Sequence, residues 1–76
     1  SPLPMEEQVV SIYAGVNGYL DAIDVNKISR FENDLMNLIK GSYQDILKSI
    51  RNEQSLSDKT EEKLKKAIEE FMKTFE

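Results

Sequence analysis

Few residues of this sequence could carry out a reaction, and their spacing assigns them other work. Carboxylates occur as neighbours at Glu6-Glu7, Glu61-Glu62 and Glu69-Glu70. Two carboxylates serve as acid and base only when both converge on one substrate. Adjacent residues on a helix point about 100° apart, so these pairs read as solvated charge. The sequence has no His and no Cys. That excludes the nucleophile–base pairs built on them, disulfides, and zinc sites of sulfur or imidazole. No Asp-x-Asp-x-Asp-Gly calcium loop occurs. Gly15-Val-Asn-Gly18 holds two glycines, but no Lys or Ser follows and no strand precedes, as a phosphate loop requires. Tyr13, Tyr19 and Tyr43 lie on or beside apolar stripes and read as core or interface residues with the hydroxyl at the edge. No catalytic, cofactor-binding or metal-binding residue is assigned.

What must then be explained is a set of packing elements. Seventy-six residues make one domain at most. A protein of this size buries only about 60% of its unfolded surface, so a partner surface is a natural supplement. Residues 1–26 hold four acids and no Lys or Arg, and all ten basic residues lie between Lys27 and Lys73. From Ser57 onward five lysines mix with six acids, the pattern of a solvated helix face. With net charge -4 and no basic stripe, nucleic acid is not an expected partner, nor is an anionic membrane surface. The longest uncharged run, Gln8 to Leu20, has 13 residues and is too short and too polar to span a bilayer. No basic start leads into an apolar segment, so no signal peptide is read. Absence of cysteine suits a cytosolic compartment.

The expected fold is all-α, a small bundle of three to four helices within a single domain, 1–76. The clearest helix covers 58–74. Leu64, Ala67, Ile68, Phe71 and Phe75 form one stripe, Ser57 or Asp58 is placed to cap it, and Asp58 to Glu61 has capping-box spacing. The middle part covers 25–52, with Asp24 as its N-cap. Its first stripe is Ile28, Phe31, Leu35 and Leu38; its second is Ile39, Tyr43, Ile46 and Ile50. Gly41-Ser42 lies at the change of phase, which predicts a helix bent or broken near Gly41. The run Asn52 to Ser57 then forms a surface connection.

The opening stretch, "VVSIYAGVNGYLDAI" at 9–23, is ambiguous. Asn17-Gly18 is a hairpin dipeptide, and Val10, Ile12, Ala14 and Val16 alternate before it. The residues after it do not alternate, and a lone hairpin is marginal in water. Pro4 suits a first helical position, and Glu6 and Glu7 suit the first turn. Helix over 4–17 is therefore expected, ended by Asn17 or Gly18, with a turn-like link over 19–23. On this reading Val9, Tyr13, Val16 and Leu20 face one way and seat against Phe31, Leu35 and the last helix.

Beyond periodicity, "PMEEQVVSIYAGVNGYLD" at 4–21 and "KISRFENDL" at 27–35 resemble the C-terminal helical region of the alpha subunit of F-type, proton-translocating ATP synthase. The matching positions are Glu7, Gln8, Val9, Tyr13, Ala14, Gly15, Val16, Gly18, Tyr19, Leu20, Asp21, Lys27, Ile28, Phe31 and Glu32. Of these Tyr13, Gly15, Gly18, Tyr19, Leu20, Ile28, Phe31 and Glu32 are singled out as motif and packing residues. The stretch "ILKSIRNEQSLSDKTEEKLKKAIEEFMKTF" follows the family's closing pattern, so the resemblance covers nearly the whole sequence.

The resemblance implies a structural, non-catalytic role in the helical tier of the catalytic head, near the central stalk, supporting ATP synthesis coupled to proton transport. It implies partners in the beta and central-stalk gamma subunits and in upstream alpha domains. It implies Mg-ATP bound in such an upstream domain, and no cofactor in the present sequence. The sequence opens Ser-Pro rather than with Met, and is expected to be a C-terminal piece of a longer subunit. The implied place is a peripheral complex on the cytoplasmic face of the bacterial inner membrane or the mitochondrial matrix side, with no direct membrane insertion. Apolar surface around Ile12 and Tyr19 is expected to be exposed and to give weak self-association. The competing expectation is a free-standing helical protein-interaction module, which fits the size and stripes but not the run of matches at 4–35.

Overall fold

A computed structural model describes residues 4–75. Its elements are helix α1 (Met5–Val16), two 3-10 turns (Tyr19–Ala22 and Val25–Lys27), and helices α2 (Ile28–Ser42), α3 (Gln44–Glu53) and α4 (Asp58–Thr74). No strand occurs among the described residues, so the all-α bundle expected from the sequence is what forms. It spans 34 × 28 × 22 Å.

The opening stretch is helical. Pro4 is the N-cap rather than the first helical residue, and its carbonyl accepts the N–H groups of Glu7 and Gln8 at 3.0 Å. Glu6 and Glu7 lie in the first turn, where the helix dipole favours them. At the other end Asn17 keeps φ -90°, and Gly18 alone turns left-handed, φ 80°. Glycine meets no Cβ penalty there. The Tyr13 carbonyl accepts both the Asn17 backbone N–H at 3.1 Å and the Asn17 side-chain amide at 2.9 Å, which fastens the last turn.

The middle part is two helices, not one bent helix. Phe31, Leu35 and Ile39 are all buried, so one stripe runs through Ile39 and does not change phase there. The break falls at Tyr43, φ -129° and ψ 42°, two residues past Gly41. Gly41 remains helical, and a Cβ on it would meet nothing within 4 Å. The break holds its backbone partners: Tyr43 N–H reaches the Ile39 carbonyl and Ile46 N–H reaches the Tyr43 carbonyl, both at 3.0 Å. Asp24 does not cap α2. It precedes the second 3-10 turn, makes no side-chain capping bond, and leaves Lys27 as the residue before Ile28.

α4 has the bounds its stripe predicted. Ser57 is the cap: its Oγ accepts the Thr60 N–H at 3.3 Å and donates to Thr60 Oγ1 at 3.0 Å. Asp58 is already the first helical residue, so the box spacing from Asp58 to Glu61 is one position too late to function as such. The core gathers Val10 from α1, Phe31 and Ile39 from α2, Ile46 and Ile50 from α3, and Leu64 and Ile68 from α4. The bundle closes at its end with three rings. Phe31 sits 5.2 Å from Phe71 and 5.1 Å from Phe75, and the Arg30 guanidinium lies 4.8 Å above the Phe75 ring.

Candidate functional site

α1 carries two apolar faces, and this corrects the expected stripe. At about 100° per residue, Val10, Tyr13 and Ala14 lie close together on the helix surface. They are the buried ones. Val16, expected in the core, is 78% exposed. Val9 and Leu20 are half-buried against the core. The physical reason is register: α1 packs on α3 and α2 through the arc centred on Val10, and Val16 lies on the far side. Val10 was missed because the adjacent Val9 fitted the same pattern.

The outward face holds Met5, Val9, Ile12 and Val16. Val9, Ile12 and Val16, together with Tyr13, Asn17 and Leu56, line an open apolar groove of about 290 Å³. Leu56 enters from the α3–α4 connection, which sequence reasoning treated only as polar surface. Ile12 is 62% exposed, as expected; Tyr19 instead leans on Tyr13, ring centroids 6.3 Å apart, and is half-buried.

Tyr13 forms the boundary between the two faces. Its ring is in the core, and its hydroxyl donates to Glu61 Oε2 of α4 at 3.2 Å. Burial first, then the hydrogen bond and charge of Glu61, push the hydroxyl up to about 12. A phenol held protonated in this way is a structural donor, not a base.

The other singled-out residues are distributed along the sequence. Gly15 is exposed, and a Cβ there would meet only Leu20 Cδ1 at 3.8 Å, an ordinary contact. Gly18 is needed for its positive φ. Ile28 and Glu32 are half-buried on α2, and Phe31 is fully buried. Tyr13, Tyr19 and Leu20 are brought together at one end of α1; Ile28, Phe31 and Glu32 belong to another region. They form no single reaction centre.

A second, polar cleft of about 330 Å³ runs between α1 and α3, lined by Glu6, Glu7, Lys40, Gln44, Leu47, Lys48 and Arg51. The Arg51 Nε to Glu6 Oε2 distance is 3.6 Å, which ties α3 to α1. Among the described residues no group of three or more carboxylates could hold a metal ion, and no helix is long and apolar enough to cross a membrane.

Among the described residues, four short helices around one core, with an apolar face left open, define a small all-α packing domain. The protein belongs to the family formed by the C-terminal domain of ATP synthase alpha/beta chains: the model of that family matches residues 1–71.

Proposed function

We propose that this protein is the helical tier of an ATP synthase alpha subunit, a non-catalytic scaffold in the head of the enzyme. The observation that carries the choice of alpha over beta is the run Tyr13-Ala-Gly-Val-Asn-Gly-Tyr-Leu-Asp21, followed by Lys27-Ile28 and Phe31-Glu32. On this reading the domain supports ATP synthesis coupled to proton transport by holding its neighbours in place. Mg-ATP binds elsewhere in the alpha subunit, and catalysis takes place outside this domain. Its partners are the upstream alpha domains, beta, and the central-stalk gamma subunit. It lies in a peripheral complex, on the cytoplasmic face of a bacterial inner membrane or on the matrix side in mitochondria. The open groove on α1 supports such a role, since an apolar face of this kind marks a contact surface. A free-standing interaction module would have the same groove but gives no reason for the family match.

A chimera tests the reading. This sequence replaces the corresponding C-terminal region of a bacterial alpha subunit, and in parallel that of the beta subunit. The alpha chimera is expected to assemble with its partners into a head that hydrolyses ATP, and the beta chimera to fail. Assembly of the beta chimera alone would assign the sequence to beta instead.

A further inference from the structure

Asn17 and Gly18 form no hairpin, and the pair has a chemistry of its own. An asparagine before a glycine can close a ring on itself, because the glycine nitrogen has no side chain beside it as a shield. Asparagine occurs at positions 17, 26, 33, 37 and 52, and only Asn17 precedes glycine. Asn17 is exposed at the end of α1, whereas Asn33 and Asn37 lie within α2 and Asn52 within α3.

The folded geometry keeps the two reacting atoms apart. Ring closure brings the Gly18 nitrogen onto the Asn17 side-chain carbon Cγ. At ψ 11° that nitrogen nearly eclipses the backbone nitrogen of Asn17. The tetrahedral Cα then leaves it about 120° in torsion from Cβ. The side chain is also drawn back along the helix, since its amide donates to the Tyr13 carbonyl at 2.9 Å. The Gly18 N–H is turned to the Gly15 carbonyl at a long 3.4 Å. All these restraints belong to one turn. Gly15, Val16 and Asn17 are exposed, so unwinding that turn uncovers little and requires far less than opening the core.

We propose that Asn17-Gly18 is a self-modification site, at which Asn17 deamidates when the last turn of α1 unwinds, with water as the only co-reactant. In the unwound turn the Gly18 nitrogen attacks Asn17 Cγ and gives up its proton through water. The new N–Cγ bond forms, the Cγ–Nδ2 bond breaks, and ammonia leaves with that proton. A five-membered succinimide remains. One water then opens the ring. Addition at Cγ gives aspartate at position 17, and addition at the backbone carbonyl carbon gives a β-linked isoaspartate with one more carbon in the main chain. Nothing is oxidised or reduced. The product cannot restore the restraint, because a carboxylate at neutral pH has no hydrogen to give the Tyr13 carbonyl. Its charge stands at the C-terminal end of a helix, where the dipole opposes it. Asp21 is also near, with Oδ2 3.4 Å from the place a Cβ on Gly18 would take. The modified protein keeps its core and loses order at the end of α1, whichever synthase chain contains the sequence.

The full protein is incubated at neutral pH, folded and in guanidinium chloride, and followed by peptide mass spectrometry that separates aspartate from isoaspartate. A gain of about one dalton is expected at Asn17, as a mixture of the two products. Asn26, Asn33, Asn37 and Asn52 should stay unchanged over the same time. The folded protein is expected to react at least about tenfold more slowly than the unfolded one. Gly15→Ala favours the wound turn without crowding it, since a Cβ there meets only Leu20 Cδ1 at 3.8 Å. It should slow the folded reaction at least about twofold and leave the unfolded rate as it was. Asn17→Asp reproduces one product. Its melting temperature should fall by a few degrees and recover in part at high salt, which screens the charge. Equal rates in folded and unfolded protein would overturn the proposal, as would a folded Gly15→Ala rate equal to the parent's. So would reaction at another asparagine before Asn17, a folded protein that stays intact while the unfolded one converts fully, or an Asn17→Asp variant as stable as the parent at low salt.

Discussion

The Tyr13 hydroxyl reaches Glu61 Oε2 at 3.2 Å, joining the first long helix to the last across 48 residues of sequence. The contact lies where the buried and open faces of α1 meet. It links α4 directly to α1, which otherwise packs mainly on α3 and α2.

Removing that donor should weaken the bundle. Tyr13→Phe keeps the ring and loses the bond, and is expected to cost about 0.5–1.5 kcal/mol. The lower end applies because Glu61 is half-buried and retains water as an alternative partner. Urea unfolding at pH 7 measures it, with an unchanged m-value as the sign that packing was kept.

Alkaline pH should reproduce part of the same loss. The folded protein raises the Tyr13 hydroxyl from 10.0 to about 12. Folding thus favours the protonated phenol. Its contribution is complete below pH 10 and falls away as pH rises through 10 toward 12. Stability followed over that window should decline in the parent and decline less in Tyr13→Phe, and the difference between the two curves isolates the Tyr13 contribution.

Gly41 and Gly18 should respond oppositely to alanine. Gly41 is helical with open space around it, so Gly41→Ala is expected to raise stability by up to about 1 kcal/mol. Gly18 sits at φ 80°, and Gly18→Ala is expected to lower stability by about 1–2 kcal/mol. Thermal melts of the two single variants read the signs directly. A loss at Gly41 would place a structural bend there after all.

The two faces of α1 should separate cleanly in a valine pair. Val10 is fully buried and Val16 is 78% exposed. Val10→Ala is expected to cost most of the roughly 1.5–3 kcal/mol that burial of such a side chain provides. Val16→Ala should lie within about 0.5 kcal/mol of the parent. Phe31→Ala, at the centre of the three-ring cluster, is expected to cost about 3–5 kcal/mol. That is enough to unfold a domain holding only about 5 kcal/mol in total.

Calorimetric titration with Mg-ATP should give no saturable heat. The sequence has no phosphate loop to cradle the phosphates and no His or Cys. Binding tighter than about 1 mM would contradict the scaffold role.

Much of this was legible in the residues themselves. The stripe from Leu64 to Phe71 set the bounds of α4, because a single-sided helix has one period and one cap. The absence of His and Cys removed whole classes of chemistry before any fold was known. The family was visible in the run from Tyr13 to Asp21, where Gly18 stands at the position that needs a left-handed backbone. What the sequence could not resolve was which of two apolar faces on α1 would turn inward. Val9 and Val10 are equally hydrophobic, and local periodicity supports either choice. Only the placement of α2 and α3 decided it, by filling the arc around Val10 and leaving Val16 in solvent. The break at Tyr43 was decided the same way. Gly41 is the weakest helix former nearby, but the backbone turns where burial of Ile39 on one side and Ile46 on the other requires a new direction. Propensity marks where a helix is cheapest to interrupt; the core determines where it must be.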